Sequence, residues 1–95
     1  MTNLLLAELR LHRTEIIEIA QYHGATSIRV LGANDERETE AIDFLVELEK
    51  HRTVVDVGRM IVDLQQLLSR QVNVIDSTTV HERVRDRVLR EAIAF

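Results

Sequence analysis

Ninety-five residues with 45% apolar content can close one core and leave no room for a second, since a chain of this size buries about 60–65% of the surface its unfolded form exposes. The absence of cysteine excludes a disulfide framework and thiolate zinc, so a reducing cytoplasm is the expected setting. A net charge of -4 and a stacking inventory limited to Tyr22, Phe44 and Phe95 argue against nucleic acid as a direct ligand, because that role needs clustered positive charge and aromatic platforms.

The chain opens with apolar residues at helical spacing. Leu5, Leu9, Ile16, Ile19 and Ala20 share one face, which predicts a first helix, bent near His12, with Gly24 as its C-terminal cap. Leu4 to Leu6 is too short an apolar run to span a membrane or to serve as a signal segment, so no membrane association is expected. Ser27 to Leu31 alternates polar and β-branched residues and predicts a first strand, ended by Gly32. The polar run from Ala33 to Glu40 reads as a loop or a single helical turn. Ala41 to Leu48 then predicts a second strand that turns Ile42, Phe44, Val46 and Leu48 to the helices and Ala41, Asp43, Leu45 and Glu47 away from them.

Thr53 is placed to cap a helix whose apolar stripe is Val54, Val57, Ile61, Leu64 and Leu68. Val72 to Asp76 predicts a third strand, Ser77 to Thr79 the next cap, and Val80, Val84, Val88 and Ala92 the stripe of a final helix. The expected fold is a single α/β (α+β) domain over residues 1–95, a small mixed sheet of about three strands packed on helices, in the order α-β-β-α-β-α.

This pattern carries a possible site. The first strand ends at Gly32, Asp43 is brought to the same edge of the sheet by the second, and Asn73 arrives from the third. A helix, a strand ending in Gly and a small residue, a strand with alternate acidic positions, a helix and a short V-x-V-I strand together resemble the minimal nucleotidyltransferases (MNT) of the DNA polymerase β superfamily. In particular they resemble MNT proteins encoded beside HEPN partners in toxin–antitoxin pairs. The segments HRTEIIEIAQYHGATSIRVLGA, AIDFLVELE, VDLQQLLSRQVNVI and VRDRVLREAIAF carry the likeness over nearly the whole chain.

The resemblance implies a motif of Gly-Ser, ten residues, Asp-x-Asp, and a third carboxylate on the last strand. The Gly-Ser turn would approach a nucleotide triphosphate, and the carboxylates would hold two magnesium ions that clamp an in-line displacement. Matched residue by residue, Gly32 is kept as a nucleotide-binding position and Asp43 as a residual metal ligand. The serine position is Ala33, the first aspartate is Ala41 and the third carboxylate is Asn73. Seven residues separate Ala33 from Ala41 where the family has ten. Glu40 points to the opposite face from Ala41, and Glu47 lies beyond a carboxylate's reach of Asp43, so neither replaces the missing ligands.

The remaining features have plainer readings. His12, His23, His51 and His81 form no zinc-binding spacing and suit surface or helix-end positions. Arg83, Arg85, Arg87 and Arg90 interleave with Glu82, Asp86 and Glu91 as a salt-bridged face. The apolar ends, Leu4–Leu6 and Ala92–Phe95, suit either packing on the domain's own sheet or a dimer surface. The expectation is therefore a catalytically degenerate nucleotidyltransferase fold without a cofactor, acting as a cytoplasmic antitoxin-like partner of a HEPN-type toxin. The alternative is an active enzyme that uses ATP and Mg2+ for adenylyl transfer to a protein partner. A third reading is a self-associating structural protein, a homo-oligomer without a ligand.

Overall fold

A computed structural model describes residues 4–31, 41–80 and 82–95. Helices α1 (Leu4–Leu11) and α2 (Arg13–Tyr22) lead into β1 (Ala25–Leu31) and β2 (Ala41–Leu48); α3 (Val54–Leu68), β3 (Gln71–Asp76), a 3-10 turn (Ser77–Thr79) and α4 (Glu82–Glu91) follow. The strands form one mixed sheet in the order β1-β2-β3, antiparallel between β1 and β2 and parallel between β2 and β3. The α+β class and the three-stranded sheet are as the sequence predicts.

The first helix is two helices. His12 leaves helical geometry at φ -104 and ψ 15, and its N–H bonds to the Leu9 carbonyl three residues back. The α-helical ladder restarts where the Ile16 N–H reaches the His12 carbonyl at 2.9 Å. The apolar face still holds across the break, with Leu9, Ile16 and Ala20 buried and Leu5 and Ile19 packed against them. His23 caps α2 and Gly24 follows at φ +92, a backbone conformation that suits glycine. The site is closed to side chains as well, since a Cβ on Gly24 would run into the Arg52 side chain.

The central strand β2 has the predicted bounds, and its inward residues Ile42, Phe44 and Val46 are buried together with Val30 of β1 and Val72 of β3. Helices α2 and α3 lie against this face and against each other. The far face differs from expectation at Leu45, which is 3% exposed but lies outside the main core cluster.

Helix α3 starts as expected and buries a different stripe. Thr53 and Asp56 form a reciprocal capping box: the Thr53 hydroxyl accepts from the Val55 N–H at 3.2 Å, and the Asp56 carboxylate accepts from the Thr53 N–H at 2.8 Å. Met60, Leu64 and Leu68 are buried, whereas Val54 is 81% exposed. Spacings of four residues from Met60 set the phase of the buried face, which rotates Val54 into solvent. Gln65 then ties the helix to β3, its side-chain carbonyl accepting from the Val72 N–H at 3.1 Å.

Two further corrections concern the end of the chain. Residues Ser77–Thr79 form a 3-10 turn capped by Asp76, whose carboxylate accepts from the Thr78 N–H at 3.0 Å, instead of capping α4 directly. Arg90 turns its Nε to the backbone carbonyl of Asp86, not to a carboxylate. The side chains of Val84, Arg83, Arg85 and Arg87 lie outside the described residues. The C-terminal apolar residues pack on the domain's own sheet: Ile93 pairs with Val30, and the Phe95 ring sits 5.9 Å from that of Phe44. At the other end of the chain Leu5 and Leu6 also pack against the core.

Two measurements check this arrangement. Leu64→Ala should lower unfolding free energy in urea by about 2–5 kcal/mol, and Val54→Ala should leave it within about 0.5 kcal/mol. The second concerns the cap. The Thr53 N–H, helped by Arg52, holds the Asp56 carboxyl below its usual range. A carboxyl depressed in the folded state contributes stability above its ordinary pKa and loses it as pH falls through the folded value. Asp56→Asn should therefore be less stable than the parent at neutral pH, with the difference closing as the pH drops below the ordinary aspartate range.

Candidate functional site

The registers of the two strand pairs converge on one level of the sheet. Leu31 is the partner of Asp43 across the antiparallel pair, and Asp43 is the partner of Asn73 across the parallel pair. Residues directly opposite in a sheet point to the same face, so Asp43 and Asn73 stand side by side on the face away from α2 and α3. Ala41 lies two residues before Asp43, opposite Gln71, and shares that face. The structure thus brings Asp43, Asn73 and Ala41 together as the strand pattern implies. Gly32 and Ala33, with the acidic run from Asp35 to Glu40, lie outside the described residues.

The interaction that defines this place is a hydrogen bond. The Asn73 amide donates from Nδ2 to Oδ1 of Asp43 at 3.1 Å. An ionised carboxylate only accepts, so the amide must present its NH2 to Asp43 and direct its carbonyl elsewhere. Asp43 is half-buried and Asn73 exposed, and between them they form a small polar end on a face that is otherwise closed at Leu45. Glu47 is exposed and pairs in register with Ser27, too far along β2 to join. Among the described residues no group of three or more His, Asp or Glu side chains is gathered so that it could hold a metal ion.

One ionisable pair has no counterpart in the sequence reading. His23, 6% exposed, meets Asp63 at 2.6 Å between Nε2 and Oδ2, joining the end of α2 to the middle of α3. Tyr22 stacks edge-on against the same imidazole at 5.0 Å. Nothing in the sequence signals a contact across forty residues between two surface-type side chains, and the pair acts as a fastener of the helical layer away from the Asp43 face.

No family model matches the chain. Comparison with curated proteins finds a protein of Methanocaldococcus jannaschii named "Putative protein adenylyltransferase", 31% identical over 84 residues, covering 85% of this chain and 90% of that one. Among solved structures, one described as "Structure of putative minimal nucleotidyltransferase" superposes with a TM-score of 0.83 at 34% identity and covers 95% of each chain. Likeness of this extent, in sequence and in fold together, places the chain in the family of minimal nucleotidyltransferases.

Proposed function

We propose that this nucleotidyltransferase-fold protein has no working two-metal centre and acts as a binding module, an antitoxin-like partner of a HEPN-type toxin. The observation that carries the reading is the Asp43–Asn73 hydrogen bond. Where the family's chemistry calls for three carboxylates, the described residues offer one, with a methyl group at Ala41 and an amide that directs its donor into the remaining acid. These residues do not fit a pair of magnesium ions.

Magnitudes support that reading. A unit negative charge about 4 Å from a divalent cation contributes roughly 8 kcal/mol at an effective dielectric near 20, before desolvation is subtracted. Two such contributions are missing at positions 41 and 73, and magnesium gives up its own water shell reluctantly. The Asn73 amide presents an N–H to Oδ1 of Asp43 where the family's third carboxylate would present a second negative oxygen. The scaffold is nonetheless intact, since the polar end of the sheet rests on the fully buried core beneath it. Selection that maintains a fold without its chemistry maintains what the fold binds.

The relative's name describes adenylyl transfer to proteins, which makes that the activity to test for. The purified chain, given ATP, Mg2+ and candidate protein acceptors, should transfer no adenylyl group; transfer that disappears in Asp43→Asn would falsify the proposal. The partner reading has its own check. Co-expression with an all-helical HEPN protein encoded by the adjacent reading frame should yield a complex that co-elutes on size exclusion, and separate elution of the two would count against it.

Rebuilding the ligands supplies an independent measurement. Ala41→Asp combined with Asn73→Asp should melt below the parent in chelator, because three carboxylates then repel one another on one face of the sheet. Divalent cation at a hundredfold excess over its Kd should return about 2.7 kcal/mol to that variant and none to the parent. A parent protein stabilised as strongly by Mg2+ would overturn the proposal.

A further inference from the structure

Residues 93–95 lie along the outer edge of β1 as a short strap. Val30 exchanges both backbone bonds with Ile93, each at 2.9 Å, in an isolated antiparallel bridge. That bridge is the strap's whole backbone pairing with the sheet among the described residues. Two residues on, the Phe95 ring rests 5.9 Å from that of the buried Phe44, and the Phe95 backbone oxygen accepts from Arg13 Nε at 2.7 Å. Ala94 between them is exposed. A space of about 250 Å3 lies beside Phe95, between Ile17 of α2 and Ile28 of β1, so on that flank the strap is not packed to the density of the core.

The edge beneath the strap has little protection of its own. Backbone groups alternate in direction along a strand, so those of Ile28 point outward with those of Val30, and they have no backbone partner among the described residues. The sequence of β1, ATSIRVL, holds one charged residue and no proline, the features that usually blunt an outer strand. Laid antiparallel to itself about Ile28, it sets Thr26 opposite Val30 and Ser27 opposite Arg29, with no like charges facing each other. The other outer strand is answered differently, since the Gln65 side chain takes the Val72 N–H of β3 at 3.1 Å. Arg13 is the first residue of α2, an end where the helix dipole disfavours a cation, and its reach to Phe95 gives it a reason to be there.

We infer that residues 93–95 are a detachable strap, which opens while the domain stays folded and, when closed, keeps β1 from pairing with β1 of a second copy. Once it lifts, the N–H and C=O of Val30 lose their partners and join those of Ile28 in a row that an identical edge completes. The Arg13 latch and the contact between the Phe44 and Phe95 rings set how often this happens, because the bridge itself holds a single residue pair. The strap is separate from the Asp43 face, so its behaviour is independent of the chemistry lost there and of any partner protein.

Amide hydrogen exchange and solution mass of the full chain provide the test. In the parent, the amides of Val30 and Ile93 should exchange at least about tenfold faster than those of Leu45 and Leu64, and low urea should speed only the latter pair. Arg13→Met removes the latch but keeps an apolar stem, and should speed Val30 and Ile93 about tenfold further without moving Leu64. Ile93→Pro removes the N–H given to Val30. Its mass should rise with concentration toward a dimer in which the Ile28 and Val30 amides are protected, while the mass of the parent stays constant. Should Ile93→Pro lose protection at Leu64, the same rise in the mass of Arg13→Met decides. The inference is overturned if Val30 and Ile93 exchange only together with the core, if Arg13→Met leaves their rates unchanged, if the strap variants stay monomeric with an intact core, or if the protection gained on association falls outside β1.

Discussion

Strand β2 is the constraint on which the rest depends. It is the only strand of the described sheet with a neighbour on both sides, and its two faces do opposite work. Ile42, Phe44 and Val46 close the core under α2 and α3, and Asp43 between them stands on the other side. Because side chains alternate with a period of two, sliding β2 by one residue against either neighbour would carry Phe44 out of the core and Asp43 into it. Burial of an unpaired carboxylate and exposure of a phenyl ring are both costly. The core therefore fixes the register of the site, and the Asp43–Asn73 pairing is a consequence of packing on the opposite face as much as of its own hydrogen bond.

Much of this was legible in the chain because it depends on local alternation. The bounds of β2 follow from four apolar residues at every second position, and of the expected trio Gly32, Asp43 and Asn73 the last two are neighbours in register, while Gly32 lies outside the described residues. The stripe of α3 was legible only in part. Leu64 and Leu68 are common to the expected and the observed faces, but Val54 and Met60 are both apolar and one residue's worth of rotation decides between them. That choice is made by the shape of the surface α3 meets, which periodicity does not contain. The bend expected near His12 is a full break between two helices, and the 3-10 turn after Asp76 is set by a side-chain cap that overrides a reading based on spacing.

The His23–Asp63 pair marks a different limit. Neither residue has a pattern around it, and their meeting depends on how α2 and α3 lie on the sheet. The fate of the apolar C-terminus is of the same kind: Ile93 and Phe95 fit equally a partner surface or the domain's own sheet until the bridge to Val30 is seen. At positions 41 and 73 the residue types were plain in the chain, and geometry added their placement beside Asp43 and the direction of the Asn73 amide. That direction turns a missing charge into an occupied acceptor.

Gly24 and Arg52 are fitted to each other. The space that a side chain at position 24 would fill is taken by the Arg52 stem, whose guanidinium also reaches Glu49 and Asp56. A methyl group at the first position would be strained by the backbone there and would also push the second aside, disturbing the entry to α3. Glycine is thus held by two independent demands, and trimming the long basic residue relieves just one of them.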